Sequence, residues 1–141
     1  MKIYIVGSSA FVKQFVDYRD QLINLGHEVH LHEHYVKQAK GEMKDLVERM
    51  KHEHGAVKKE FDYNKYHYNQ ILNGDAILVL NFDKNGIKNY IGGNTLIEIG
   101  FAHVNNKKVF LLNPIPKEVS YADEIEAMVD LVINGDLSKI E

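Results

Sequence analysis

Asp75-Ala76-Ile77-Leu78-Val79-Leu80 and Lys107-Lys108-Val109-Phe110-Leu111-Leu112-Asn113-Pro114 frame the stretch that decides the fold. Between them stands Gly92-Gly93-Asn94-Thr95-Leu96-Ile97-Glu98-Ile99-Gly100-Phe101-Ala102-His103. The two apolar runs are of strand length and unbroken, which reads as strands buried on both faces. The segment between them reads as a helix opened by Asn94 or Thr95. Strand, helix, strand is a βαβ unit with a right-handed crossover. Ligands in open α/β sheets bind outside the carboxyl ends of the strands. The polar loop after Leu80, carrying Asn81, Asp83, Asn85, Gly86, Tyr90 and the Gly92-Gly93 pair, is therefore the first candidate site. Glu98 lies one turn inside the following helix and can reach the crevice above Leu80 as a nucleophile, a base or a ligand-holding group. An equally specific reading exists: Thr95-Leu96-Ile97-Glu98 fits a capping box, the glutamate bonding back to the backbone N–H of Thr95.

Outward from this unit, Lys2-Ile3-Tyr4-Ile5-Val6 reads as a strand and Gly7-Ser8-Ser9 as a turn into a helix from about Ala10 to Leu25. Phe11, Phe15, Leu22 and Leu25 are expected to face inward, and Gly26 stands at the stop position. The residues from Gly26 to Leu31 read as a turn and a second strand. Hydroxyls and backbone N–H groups at the helix start make Ser8 and Ser9 either an anion site or plain N-caps. The turn lacks the three spaced glycines of a dinucleotide fingerprint, and no Gly-Lys-Ser/Thr follows. NAD, FAD and ATP hydrolysis are not signalled, and no cofactor is expected.

His30, His32 and His34 alternate with Leu31 and Glu33, so in a strand they share one side, as a zinc or nickel site or as a solvated strand end. The solvated end is the expectation, with no metal. His52 and His54 sit two apart on an expected helix and diverge. From Tyr35 to Lys59 the composition turns to Lys, Glu and Met; Glu42 to Lys51 reads as a helix with Met43, Leu46, Val47 and Met50 inward, broken by Gly55. This region is a lid, a dimer surface or a solvated helix. Phe61 to Leu72 reads as a helix stopped by Asn73-Gly74, with Phe61, Tyr68, Ile71 and Leu72 toward the sheet. Tyr63, Tyr66, His67 and Gln70 share another side, for packing or for stacking on a nucleobase. Ser120-Tyr121-Ala122-Asp123 resembles a cap for a helix through about Leu131, and Ile133 to Leu137 reads as a short edge strand. The expected fold is a single α/β domain over residues 1–141, a doubly wound parallel sheet of four to five strands with helices on both faces.

The composition is that of an ordinary globular chain: 45% hydrophobic and 26% charged residues in 141. With 17 Lys+Arg against 20 Asp+Glu, the net charge of −3 offers no polycationic face, so nucleic acid is not an expected partner. The absence of cysteine rules out disulfides and thiol chemistry. No apolar run approaches about 18 residues and the first strand starts at once, so neither a membrane partner nor a leader is expected, and the location expected is cytoplasmic.

Taken together, the Asp-led strand at Asp75, the loop ending in Gly92-Gly93-Asn94-Thr95, the Glu98-Ile99-Gly100-Phe101-Ala102 sequence and the lysine-led strand at Lys107 resemble the nucleoside 2-deoxyribosyltransferase superfamily. That superfamily includes deoxynucleoside 5'-monophosphate N-glycosidases. Tyr4 and Gly7-Ser8-Ser9 are similar to its opening segment, whereas Asn81 stands where many relatives have an acid. The resemblance implies cleavage or transfer of the N-glycosidic bond of a nucleoside or nucleotide. Glu98 would be the nucleophile at C1', Asp75 a supporting carboxylate and Tyr4 the group that orients Glu98. Gly7, Ser8, Ser9, Asn81, Asp83, Gly92, Gly93, Asn94 and Thr95 would bind substrate, Ser8 or Ser9 at a 5'-phosphate and Asn94 and Thr95 at the sugar. A homo-oligomer, dimer or larger, is also implied. The rival reading is a nucleotide-binding or sensing module without chemistry, to which the capping role of Glu98 would belong.

Overall fold

Every residue of the central strands is apolar, and the pleat sends alternate side chains to opposite faces. In the computed structural model, which describes residues 1–141, this alternation divides the interior into two cores. Ile3 and Ile5 of β1 (Lys2–Gly7) join Ala76, Leu78 and Leu80 of β3 (Ala76–Leu80) and Phe110 of β4 (Lys108–Leu111) on one face. Phe11, Phe15 and Leu22 cover them from α1 (Val12–Asn24) and the 3-10 turn before it, joined by Leu137 and Ile140 near the C-terminus. Tyr4, Val6, Ile77, Val79, Val109 and Leu111 point the other way. They meet Ile71 of α5 (Tyr63–Leu72), Ile99 and Ala102 of α6 (Gly93–Val104), and Ile125 of α7 (Ala122–Met128).

With β2 (Glu28–His30) and β5 (Leu131–Val132) the sheet has five strands, all parallel, in the order β2-β1-β3-β4-β5. This is a doubly wound α/β fold with helices on both faces. The chain reverses its winding between β1 and β3, and the carboxyl ends of those strands open the crevice where such folds take ligands. Three short helices, α2 (Glu33–Ala39), α3 (Lys44–His52) and α4 (His54–Phe61), stand beside that crevice. They hold a small core of their own, in which Leu46 and Val57 pack on Tyr63 with Met43 and Met50 alongside. No helix is long and apolar enough to cross a membrane.

Several boundaries differ from those expected. Leu25 is exposed, because α1 ends at Asn24 and the chain turns at Gly26 with φ +92°. The second strand stops at His30; His32 instead caps α2, its Nδ1 accepting from the His34 N–H at 3.0 Å. The alternation of His30, His32 and His34 is thus broken, and His30 pairs with Glu28 at the sheet edge. The break after α3 falls at Glu53, and Gly55 lies inside α4, so His52 and His54 belong to different helices. Phe61 is exposed at the end of α4; the inward side of α5 is Tyr63, His67 and Ile71 at four-residue spacing. The last helix ends at Met128, its N-cap is Tyr121 with no side-chain cap, and the edge strand is Leu131–Val132.

Candidate active site

The helix after the glycine pair starts earlier than its sequence suggested. Gly92 is the N-cap of α6 and Gly93 its first residue, which carries Thr95 into the first turn and Glu98 into the second. No capping box forms. Glu98 is 4% exposed, and its Oε2 is buried without any hydrogen-bond partner. An uncompensated carboxylate in the interior costs several kcal/mol. Such a group is retained for chemistry more readily than for stability. Burial pushes its carboxyl up to about 8, with Lys58 pulling the other way.

The other carboxylate oxygen faces α5. Glu98 Oε1 lies 3.6 Å from His67 Nε2, and His67 Nδ1 is 2.6 Å from the hydroxyl of Tyr4 on β1. Burial holds the imidazole down to about 4, with Lys58 adding to the effect, and raises the Tyr4 phenol above its ordinary value. Tyr4 therefore keeps its proton. With Glu98 ionised, Tyr4 and His67 are matched when the Tyr4 O–H donates to Nδ1 and Nε2–H is directed at Oε1, and Glu98 Oε2 alone stays without a partner. Tyr4 thus reaches Glu98 through His67, whose imidazole stands between the two. His67 was legible only as one member of the Tyr63, Tyr66, His67, Gln70 side of the helix.

His67, beside Glu98, and Thr95, one turn before it on α6, form part of the wall of a cleft of about 240 Å³. Two lysines and no carboxylate line it. Lys84 Nζ donates to Ser8 Oγ at 2.9 Å and stands over the Tyr90 ring at 5.1 Å, so it bridges the loops that follow β1 and β3. Lys58 of α4 enters from the helical side, its ammonium lowered by burial and raised in turn by Glu98. Ser8, Ser9, Gly93 and Asn94 from the β1 loop and the start of α6, and Tyr35, Gln38, Met50 and Tyr63 from the helices, complete the lining.

Lys84 is held in place by a hairpin that the sequence announces. Lys84 and Ile87 exchange backbone hydrogen bonds of 3.0 and 2.9 Å around Asn85-Gly86, with φ of +53° and +75° at the two turn residues. Asn-Gly with both φ positive is the type I′ turn of a two-residue hairpin. Asp83 is exposed, and its carboxylate accepts from the Asn89 N–H at 2.9 Å, closing the hairpin rather than facing a ligand. Gly7 permits the close crossing of the two loops, since a Cβ there would sit 2.7 Å from the Leu80 carbonyl oxygen.

Two further expected site residues, besides Asp83, lie elsewhere. Asp75 precedes β3 at the amino edge of the sheet, exposed, and its Oδ2 accepts from the Lys2 N–H at 2.8 Å; it is a strand-register group away from the crevice. Asn81 is fully buried, and its side chain is consumed by the end of β4. Its Nδ2 donates to the carbonyls of Asn113 and Pro114 at 2.9 and 3.1 Å, and its Oδ1 accepts from the Asn113 N–H at 2.9 Å. The histidines beyond the strand do come together in part: His32 packs on His34 and Tyr66 with ring centroids 4.5 and 4.3 Å apart. Burial holds His32 down to about 3, so it stays neutral.

Sheet order, crossover and a buried carboxylate beside a cleft at the switch point define a class: doubly wound α/β proteins with a ligand crevice between β1 and β3. The sequence matches no family model and no curated protein. Among solved structures, the CMP N-glycosidase BcmB of Clostridium botulinum shares the fold, with a TM-score of 0.54 and 15% identity over 93% of this chain and 85% of that one. The architecture is the one implied by the motifs from Asp75 to Leu112, and at this identity the likeness is one of fold.

Proposed function

We propose that the chain hydrolyses the N-glycosidic bond of a nucleoside 5'-monophosphate, with Glu98 as the nucleophile at C1'. The observation that carries the reading is the unpartnered, buried Oε2 of Glu98 behind the wall of a cationic cleft. Departure of a nucleobase develops oxocarbenium character at C1', and a carboxylate shielded from water stabilises or captures that carbon. Ionisation of Glu98 is costly in the empty site and is favoured once positive charge grows beside it. Ser8, Ser9 and the Lys84 ammonium are suited to a phosphate, and Asn94 and Thr95 to the sugar hydroxyls. The similarity to a CMP N-glycosidase supports hydrolysis and a nucleotide substrate.

A binding module without chemistry drew its strength from a capping role for Glu98, and the helix start at Gly93 removes that support. A homo-oligomer remains part of the reading; Ile97 and Val104, 45% and 71% exposed and seven residues apart on α6, offer it an apolar surface.

The test is chromatographic. The protein is incubated with CMP, dCMP, UMP, AMP, dAMP, GMP and dGMP and with the corresponding nucleosides, with and without a free acceptor base. Free base and a sugar phosphate are expected from at least one monophosphate, and none from the Glu98→Gln variant. Turnover by Glu98→Gln close to that of the unaltered protein would remove Glu98 from the reaction.

A further inference from the structure

A nucleobase is a poor leaving group as an anion, so the site needs a proton donor as well as Glu98. We propose that Lys58 of α4 is the general acid that protonates the departing base and the general base that then takes a proton from water. The inference rests on the reading of Glu98 as the nucleophile.

The other titratable groups that line the cleft narrow the choice. His67 from α5 has Nδ1 engaged by Tyr4 and directs Nε2–H at Glu98, and burial keeps it neutral. It has no spare proton to give. Tyr63 on the same helix bonds to His34 Nδ1 at 2.8 Å, and burial raises its phenol, as it raises that of Tyr35 from α2. Both are weak acids here. His54, one turn earlier on α4, is lowered by burial and by Lys58 and Lys84. Lys84 from the hairpin is committed to Ser8 at the phosphate end. Lys58 is a cation that lines the cleft and acts on both Glu98 and His67 through space. Its burial lowers the ammonium below the usual lysine range, which makes it a better acid than a solvated lysine.

The proton count closes. In the first step the C1'–N bond breaks and its electron pair goes to the base, which takes a proton from Lys58 Nζ while a Glu98 oxygen bonds to C1'. In the second, the oxygen of water bonds to C1', the ester electron pair returns to the Glu98 carboxylate, and the proton released by water goes to neutral Lys58.

Leaving-group dependence tests this. Lys58→Met and Lys58→Arg are compared with the unaltered protein on CMP, dCMP, AMP and dAMP, and on p-nitrophenyl β-D-ribofuranoside 5-phosphate and its 2-deoxy counterpart. p-Nitrophenolate departs without a proton, and the shared phosphate cancels any effect on phosphate binding. Both variants are expected to lose about 10²–10⁴-fold in kcat/KM on the nucleotides, the usual contribution of a general acid. On the p-nitrophenyl substrates both are expected to keep kcat/KM, which reports the first step alone, close to the original value, while kcat falls behind a burst of p-nitrophenolate because the second step still lacks its base. Arginine should fail as methionine does, because a guanidinium keeps the charge but does not release a proton. Equal losses of kcat/KM on both substrate types, or nucleotide turnover retained by Lys58→Arg, would overturn the role of Lys58 alone. A protein that releases neither base nor p-nitrophenolate would remove the Glu98 reading and this one together.

Discussion

His67 Nε2 stands 3.6 Å from Glu98 Oε1, and both side chains are sealed from solvent, at 5% and 4% exposure. Burial disfavours charge on either partner, so it lowers the imidazole and raises the carboxyl. In the empty site near neutral pH the pair is therefore neutral, with Tyr4 anchoring its far end. A carboxyl kept protonated and unpartnered is a burden on stability, and within the proposed reading it is held for a cationic transition state that forms beside it.

That burden is measurable as a pH dependence of stability. Glu98 has a folded value of about 8 against an ordinary 4.5, so between those values the folded state binds the extra proton and stability falls as pH rises. His67 and His32 work in the opposite direction, from about 4 and about 3 up to 6.5, and their contribution is complete above 6.5. Glu98→Gln cannot ionise. Urea midpoints between pH 6.5 and 9 should fall for the unaltered protein, by up to about 1.4 kcal/mol per pH unit below 8, and stay flatter for the variant. Parallel curves would mean that Glu98 already ionises freely.

Within the proposed reading the same ionisation governs turnover on the acid side: a nucleophilic Glu98 must be a carboxylate, so kcat/KM should rise through an apparent value near 8. Tyr4→Phe removes the donor to His67 Nδ1. The imidazole is then free to carry its proton on Nδ1 and present the Nε2 lone pair to Glu98 Oε1, which favours the protonated carboxyl. The acid limb should move to higher pH in Tyr4→Phe. A limb that stays put or moves down would break the link from Tyr4 to Glu98.

How far the sequence foretold this site depends on the kind of signal each residue leaves. Unbroken apolar runs such as Ala76–Leu80 are dictated by burial on two faces, so strands, crossover and fold class were legible. Glu98 was legible as a residue and ambiguous as a group, because a capping box and a reactive glutamate share one spacing; only the early helix start at Gly93 separates them. Asp75 shows the reverse failure, a motif residue that the strand places at the wrong end of the sheet. Lys84 was available through Asn85-Gly86, a hairpin signal hidden inside what reads as a polar loop. Lys58 left no local trace, since its place depends on how three short helices pack around Leu46 and Val57.

Lys84 gives a separable prediction about phosphate. Its ammonium bonds to Ser8 Oγ between the two switch-point loops, and within the proposed reading it meets the 5'-phosphate. Lys84→Gln removes a charge-assisted hydrogen bond of about 1.5–3 kcal/mol, so kcat/KM for the monophosphates should fall roughly 10- to 100-fold by the usual conversion. Unphosphorylated nucleosides should be hydrolysed as before. Equal losses with and without the phosphate would assign Lys84 to holding the hairpin instead.

Asn81 supplies a prediction about stability that sets its observed role against the expected one. Its amide donates to two backbone carbonyls and accepts one N–H, all at the buried junction of β3 and β4, and Asn113 Nδ2 returns a bond to the Asn81 carbonyl at 3.1 Å. Asn81→Ala leaves two carbonyls and one N–H unmatched where water has poor access, a loss of about 2 kcal/mol or more. Asn81→Asp is the sharper probe, because it keeps the shape of the side chain and changes only its hydrogen-bonding chemistry. An ionised aspartate in place of Asn81 would keep the acceptor for the Asn113 N–H but turn the donating nitrogen into an oxygen facing the Asn113 and Pro114 carbonyls. Repulsion is then added to the lost bonds, so the aspartate variant should denature at lower urea than the alanine variant at pH 8, and the gap should narrow on acidification as the carboxyl takes up a proton and regains one donor. An aspartate variant as stable as the original protein would mean that Asn81 is free to turn toward the crevice, and would return it to the substrate contacts.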